Sequence, residues 1–411
     1  MTQVVIVGAG IVGLACADAL LQEGYRVSIV DRDPAGDKAS FGNASGLGVS
    51  EVLPASVPGL LWKVPRWLVD PLGPLALKPS HFPAMVPWLW RFMRSGRPGE
   101  MQRIAAALAV LCGRAKADYR PVLRRIGFEA ELFEVGALTV YESDAGFAAE
   151  QPVWDMKRRL GVESRAMSGD EARALEPELG PLVRHAVMIP EWSHFSDPKR
   201  LVDTLRSSVA ARGATIETGE AVGFEGKELL LADGRRMGFD TAVVAAGAWS
   251  ARLAGGLGDR VLLESERGYN TTISRPGIAL RHEIIFAERQ FVATPLSIGL
   301  RIGGAAEFAG LDTAPDYRRS EALVRLANRY LPRLQADGST QWMGHRPTTA
   351  DSLPVIGRSA GRGDIIHAFG HGHTGLTLGP TTGLLVVDLV AGRMPAIDIS
   401  PYAVTRFGRF A

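Results

Sequence analysis

Cysteine is almost missing from this chain. Only Cys16 and Cys112 occur among 411 residues, and neither stands at a metal-ligand spacing. That excludes a disulfide framework and a cysteine-based metal site, and it fits a reducing compartment. Charge of one sign is missing too. Forty-six Lys and Arg face 44 Asp and Glu, a net charge of +2, so nothing argues for nucleic acid despite a pI of 8.6. No uninterrupted apolar run approaches the length of a membrane-spanning helix. No internal repeat is visible. The chain enters an apolar strand at Val4, which leaves no room for a signal peptide, so a cytoplasmic location is expected. What remains is ordinary: 46% hydrophobic and 22% charged residues, in a chain long enough that two domains are expected.

Against that background the first 31 residues stand out. Val4-Val5-Ile6-Val7 reads as a buried parallel strand, broken by Gly8-Ala9-Gly10-Ile11-Val12-Gly13. Leu14 to Gln22 has helical composition, Gly24 suits a helix C-cap, and a second apolar strand, Val27 to Val30, ends in Asp31. Strand, Gly-x-Gly-x-x-Gly, helix, strand and acid in this order form the dinucleotide-binding fingerprint. Gly8 permits the turn, Gly10 lets backbone N–H groups reach a pyrophosphate, and Gly13 lets helix and strand pack closely. The helix N-terminus favours phosphate, and Asp31 can accept the hydrogen bonds of a ribose diol.

Further along, Ala39 to Gly48 is dense in small residues, with Ser40, Asn43 and Ser45 as hydrogen-bonding groups. This composition suits a backbone pressed against a flat ligand, or a plain surface loop. Residues 57 to 97 change character. They hold Trp62, Trp67, Trp88 and Trp90, seven Pro, and six basic residues against the single acid Asp70. Two readings stand: an interfacial membrane-docking segment, or a lid that packs its Trp inward. Long helices are expected over Met101 to Arg125 and Ala145 to Arg159, and strands over Phe133 to Tyr141 and Ala186 to Pro190. Ser196-Asp197-Pro198 opens a helix that runs to about Ala211. Short strands follow at Thr215 to Thr218, Ala221 to Phe224 and Glu228 to Leu231, with Asp233-Gly234 as the hairpin turn between the last two. Phe239 to Ser250 reads as a second buried strand that ends in small residues beside a nucleotide crevice. Residues 261 to 310 read as antiparallel sheet, and Tyr317 to Tyr330 as a helix. Near the end, Gly344-His345-Arg346-Pro347 leads to a strand, Ile365 to Phe369. Gly370-His371-Gly372-His373-Thr374-Gly375-Leu376-Thr377 then feeds a helix over Thr381 to Val390, again an anion-binding arrangement.

Five of these segments, in this order and spanning nearly the whole chain, resemble the D-amino-acid oxidase-like superfamily of FAD enzymes, and within it the bacterial D-amino acid dehydrogenases. They are the fingerprint with Asp31, Ser40-Phe41-Gly42-Asn43-Ala44, Ala245-Ala246-Gly247-Ala248-Trp249-Ser250, Gly344-x-Arg346-Pro347-x-Thr349-x-Asp351-x-x-Pro354-x-x-Gly357, and Gly370-His371-Gly372. The resemblance implies an α/β fold: a discontinuous Rossmann-like FAD-binding domain (1–56, 145–260 and 335–411) and an α+β substrate domain on an antiparallel sheet (57–144 and 261–334). It implies oxidation of a D-amino acid by hydride transfer from Cα to flavin N5, with the imino acid then hydrolysed to a 2-oxo acid. Electrons would pass to a quinone or another acceptor, with the chain peripheral on the inner face of the membrane. FAD would be non-covalent, since no Cys stands near Gly344 or Gly370. No metal and no nucleic acid are expected.

By the same resemblance, Arg346 grips the substrate carboxylate through a rigid two-pronged donor, unless it forms an ion pair with Asp351 or another acid. Tyr269 and His345 are further candidates for the pocket. The cofactor would be held by Gly8, Gly10, Ile11, Val12, Gly13, Asp31, Arg32, Ser40, Asn43, Ala44, Ser45, Val222, Ala246, Gly247, Trp249, Gly344, Arg346, and Gly370 through Thr377. In the 370–377 loop the backbone N–H groups are expected to matter more than the rings of His371 and His373. The loop Phe41-Gly42-Asn43-Ala44-Ser45-Gly46-Leu47-Gly48 departs from the pattern of D-alanine-active members. That leaves the side chain of the substrate open; Arg267-Gly268-Tyr269-Asn270 suits a small carboxylated substrate, and a cyclic one such as D-proline or D-hydroxyproline is a second expectation. The alternatives are an oxygen-using amine oxidase of the glycine/sarcosine type and a flavin-binding subunit of a multi-subunit dehydrogenase. A nicotinamide-dependent dehydrogenase has no place for the C-terminal glycine loop.

Overall fold

The computed structural model describes residues 2–57 and 73–408. Its first sheet has six strands in the order Thr215–Thr218, Arg26–Asp31, Gln3–Val7, Thr241–Val244, Ile365–Phe369 and Val355–Arg358. All pairings are parallel except the last. The central strand is apolar on both faces, and Val4 to Val7 are all buried. This is why it sits in the middle, under helices.

The helix Ile11–Gln22 follows the first strand, and the last α-helix, Gly375–Ala391, packs beside it. The two approach closely because Gly383 has no side chain: a Cβ there would come within 2.6 Å of the Ala15 carbonyl oxygen. A Cβ at Gly379 would likewise lie 3.3 Å from the Ile11 side chain. Both ends of the chain therefore belong to one nucleotide-binding layer. The closing helix begins at Gly375, earlier than Thr381, with Pro380 inside it. The span Gly372–Ala391 is apolar and long enough to cross a membrane by length and composition, contrary to the expectation of no such run. It is 72% buried, as a core helix is.

The second sheet has nine strands. Its main order is Asp337–Thr349, Leu263–Arg275, Gly299–Phe308, Phe291–Leu296, Glu283–Phe286, Ala137–Tyr141, His185–Ile189 and Arg165–Ser168, and Leu75–Leu77 pairs with Gly299–Phe308. Residues 261 to 310 are antiparallel sheet, as expected. The domain boundaries shift, however. Arg165–Ser168, His185–Ile189 and Asp337–Thr349, expected in the nucleotide part, pair into this larger sheet. The helix Pro98–Ile126, expected in the substrate part, packs on the nucleotide core. There Tyr119 donates to the Leu376 carbonyl (2.6 Å), and Leu108 and Leu111 cluster with Leu378 and Leu385. The Asp233-Gly234 turn joins Glu228–Leu231 to Arg236–Gly238, not the preceding pair, whose turn falls at Gly226-Lys227.

Of the tryptophan-rich segment, Trp62 and Trp67 lie outside the described residues. On the helix Phe82–Ser95, Trp88 turns inward. It stacks on Phe92 (5.0 Å between centroids), packs beside Phe308, and donates to the Thr348 carbonyl (3.0 Å). Trp90, on the opposite side, is 60% exposed. One helix thus shows an inward and an outward aromatic face. Cys16 and Cys112 are both buried, which pushes their thiols up to about 12 and leaves them inert.

The loop between the second strand and residue 48 packs at Gly46 against a buried acid of the larger sheet. Glu283 accepts from Trp192 Nε1 (2.9 Å), and its carboxylate lies where a Cβ on Gly46 would sit 2.6 Å away. Burial, helped by the nearby Glu51, raises the Glu283 carboxyl from 4.5 to about 8. A carboxyl that holds its proton more tightly folded than unfolded makes stability fall as pH rises between those two values. A Glu283→Gln variant lacks this loss. Its Tm is expected to rise relative to wild type by on the order of a few degrees between pH 5 and pH 8. A pH-independent difference in thermal melts would show that Glu283 is already ionised.

Candidate functional site

The nucleotide end is built from bare backbone. Gly8 has φ +114°, and a Cβ there would strike the Ala245 carbonyl; a Cβ at Gly13 would strike the carbonyl of Gly8. No side chain caps Ile11–Gln22 at Gly10, so the Val12 and Gly13 amides, which have no partner within a helix, face the turn. The Ile11 amide donates to Ser40 Oγ (3.0 Å), which draws the 39–48 loop over that turn. Asn43 braces the loop internally, donating to the Ser40 carbonyl (2.7 Å) and accepting from the Ser45 amide (2.8 Å). Ser45, fully buried with φ +68°, donates to the Phe195 carbonyl (2.7 Å), so it holds the loop rather than presenting a hydroxyl. Asp31 ends its strand as expected, but its carboxylate is engaged by the Ala9 amide (2.7 Å), the Asp33 amide (2.9 Å) and Lys38 Nζ (2.8 Å). Its remaining lone pairs are what a ribose would have to share. Arg32 lies over the Trp249 ring (3.6 Å), just past the Ala246-Gly247 turn, and Val222 is 56% exposed on the strand Ala221–Glu225 of a separate three-stranded sheet.

The second glycine loop meets this region from the C-terminal side. His371 is buried, and its Nε2 pairs with Thr382 Oγ1 (2.9 Å). Burial lowers its ring to about 3, so it is a neutral structural residue. The loop's offering is backbone: Gly370 and Gly372 both have positive φ, and the helix at Gly375 begins with no side-chain cap. Thr377 Oγ1 accepts from the Gly48 amide (3.0 Å), tying the 39–48 loop to the second glycine loop. His373 behaves differently. Its Nε2 lies 3.2 Å from Glu51 Oε2, and Lys157 lies 4.0 Å from the other Glu51 oxygen. Burial opposes the Glu51 charge, yet Lys157 and His373 hold the carboxyl down to about 2. The His373 ring is 53% exposed; partial desolvation opposes its charge, and Glu51 raises its pKa.

Arg346 lies across from these loops. Its strand runs antiparallel to Leu263–Arg275, with Glu266 opposite Arg346 and Gly268 opposite Gly344. Side chains alternate across a sheet, so Arg346, Gly344, Trp342, Glu266, Gly268 and Asn270 share one face. Contacts agree. Asn270 donates to the Gly42 carbonyl (2.5 Å), and the Trp342 ring fills the space where Gly42 and Gly344 lack side chains. Thr348 bridges to His371. Arg346 Nη1 donates to Glu266 Oε1 (2.9 Å) and to the Ala305 carbonyl (3.0 Å). Its guanidinium lies flat on Gly268, where a Cβ would strike it. Among the described residues the Nε–Nη2 edge has no hydrogen-bond partner, and the side chain is 27% exposed. Asp351 is not its partner; that acid is buried against Arg406.

Two expected pocket residues are misplaced. Tyr269 and His345 fall on the other face of the sheet. Tyr269 is 1% exposed, donates to Glu307 (2.6 Å) and accepts from the Asp316 amide (3.1 Å), and burial, with Glu307 adding to it, pushes its hydroxyl up to about 12. His345 Nδ1 bonds Ser265 Oγ (2.7 Å) beside Trp249, and burial, then Arg267 and Arg32, lowers it to about 4. Neither can touch what Arg346 touches. The residues missed were Glu266, Trp342 and Glu51, none of which belongs to a local motif. No group of three metal-ligating side chains occurs among the described residues.

Two uncapped helix starts, two glycine cradles and a small-residue loop tied between them fit a dinucleotide carrying a flat ring. A family model described as FAD dependent oxidoreductase (DAO) matches residues 3–389. A protein named D-amino-acid oxidase from Bradyrhizobium diazoefficiens is 36% identical over 98% of both chains. A protein named D-amino acid dehydrogenase 2 from Ralstonia nicotianae is 32% identical over 98% of this chain and 100% of its own. Among solved structures, glycine oxidase from Geobacillus kaustophilus shares the fold with TM-score 0.75 at 24% identity, over 99% of both chains. This chain belongs to the DAO family of FAD-dependent oxidoreductases, and FAD is its cofactor.

Proposed function

We propose that this enzyme oxidises a D-amino acid to the imino acid and passes the electrons to an acceptor other than oxygen, as a D-amino acid dehydrogenase does. The observation that carries this reading is the Nε–Nη2 edge of Arg346, free among the described residues, on the strand pair that touches the 39–48 loop and the 370–377 loop. An arginine edge of this kind takes a carboxylate through two parallel hydrogen bonds. The names of the relatives from Bradyrhizobium and Ralstonia support the substrate class.

FAD, when bound, supplies the two-electron acceptor for the hydride leaving Cα. The chain's part is positional. Arg346 fixes the carboxylate, so Cα is presented in one orientation. The Gly268 backbone and the Ala305 carbonyl hold the guanidinium in place. The uncapped start of Gly375–Ala391 offers positive potential where charge would accumulate on the cofactor. Both cysteines are buried in helices, which supports non-covalent attachment. The exposed Trp90 face supports a peripheral position on the inner face of the membrane, where a quinone would be the acceptor. A D-proline-like cyclic substrate is part of the same reading, since the Arg346 edge recognises only the carboxylate.

The oxidase name of the 36% identical relative favours a second reading, in which oxygen is the acceptor. Assays of purified holoenzyme with a panel of D-amino acids, with D-proline included, separate the two. The proposal expects fast reduction of an artificial dye and little peroxide; fast peroxide with slow dye reduction selects the oxidase. For Arg346→Lys, flavin content should stay unchanged while KM rises on the order of 10–100-fold. That range corresponds to the ~1.5–3 kcal/mol of a charge-assisted hydrogen bond. Unaltered steady-state kinetics would remove Arg346 as the carboxylate anchor.

A further inference from the structure

The helix Phe82–Ser95 has two unlike faces. Met85 and Trp88 are buried against Phe308, with Phe92 stacked on Trp88. Phe82, Val86, Trp90 and Met93 point the other way, each between 43% and 60% exposed. At 3.6 residues per turn these four fall within about 80° of one another, so they form one apolar stripe about 17 Å long. Pro83 and Pro87, both exposed, lie along its edge.

Charge around the stripe has one sign. The helix holds no acid. Arg94 and Arg97 stand exposed at its C-terminal end and form no ion pair among the described residues. Lys78 is exposed just before its start, with Nζ 3.2 Å from Thr313 Oγ1. Arg91, on the flank, is turned instead to Glu100 and Asp351 (3.6 and 3.7 Å). Size decides between a protein and a lipid as the occupant. Four large side chains exposed by about half present on the order of 400 Å², half of what each partner in a stable protein complex buries. A bilayer asks for less. A helix lying in its interface inserts apolar side chains among acyl chains while cations meet the lipid phosphates, and Trp is at home at that depth. We propose that the Phe82–Met93 face docks on an anionic lipid bilayer, in the plane of the interface, with Lys78, Arg94 and Arg97 on the headgroups. The inference rests on the peripheral position proposed above and names the surface that provides it.

Co-sedimentation of the holoenzyme with vesicles tests it, with phosphatidylcholine alone and with phosphatidylcholine and phosphatidylglycerol in equal parts. Wild type is expected to bind the mixed vesicles on the order of tenfold more strongly, and to be released from them by high salt. The double change Phe82→Ser and Trp90→Ser should weaken binding to both vesicles by on the order of tenfold or more, with flavin content unchanged. The double change Arg94→Gln and Arg97→Gln should remove the preference for the anionic mixture. Binding unaltered by the Phe82 and Trp90 changes overturns this face and leaves a peripheral position standing. Wild type that sediments with neither vesicle overturns both, and the dye-against-peroxide assay then still decides the acceptor. Self-association that disappears in the Phe82 and Trp90 variant, without vesicle binding, overturns the inference in favour of a second copy. Should that variant lose its flavin, quenching of protein fluorescence by brominated acyl chains gives the same decision. Quenching reduced in Trp90→Phe sustains the face, and quenching unchanged overturns it.

Discussion

The close crossing of the first and last helices is the constraint on which the rest of the molecule depends. Gly383 against the Ala15 carbonyl leaves no room for a side chain, so Ile11–Gln22 and Gly375–Ala391 start next to one another with their uncapped ends on the same side. Two positive helix ends and two glycine turns then share one crevice. The loop from Ser40 to Gly48 links them, hydrogen-bonded to the first turn through Ser40 and to the closing helix through Thr377. Bulk anywhere along this contact would separate the two halves of the site without touching a ligand.

The larger sheet supplies what the nucleotide layer lacks, a specific charge over an otherwise backbone-lined crevice. It does so by leaving side chains out. Gly268 and Gly344 are opposite one another in register, and their bare α-carbons accept the flat Arg346 guanidinium and the Trp342 ring. A glycine in a strand weakens it, and in both positions the vacated space is taken by a flat side chain of the same face. Glu266 fixes one nitrogen of Arg346 and so decides which edge remains for a substrate.

How much of this was legible in the sequence follows from distance along the chain. The fingerprint from Val4 to Asp31 was readable because every part of it is local, and the alternation of strands and turns through 261–310 was readable for the same reason. The Arg346 segment was not recognised as a strand, because Gly344 and Pro347 interrupt its pattern. That error carried another with it: in a strand, His345 must point away from whatever Arg346 faces. Tyr269 could not be placed without the register of its strand against Asp337–Thr349, which no local pattern encodes. Glu266, Trp342 and Glu51 join the site by pairings across tens to hundreds of residues. Each is an ordinary residue in its own sequence neighbourhood. The domain boundaries moved for a related reason, since Arg165–Ser168 and His185–Ile189 add to a sheet whose other strands lie far away in the chain.

The account's central claim is that both ends of the chain form one FAD site and that Arg346 presents a carboxylate to it. A crystal structure of the FAD-bound enzyme with an unreactive amino acid tests this most directly. The account predicts the flavin ring in contact with both the 40–48 loop and the 370–377 loop, and the ligand carboxylate on the Nε–Nη2 edge of Arg346. A ring that touches only one of the loops, or a carboxylate held by any other residue, would contradict it.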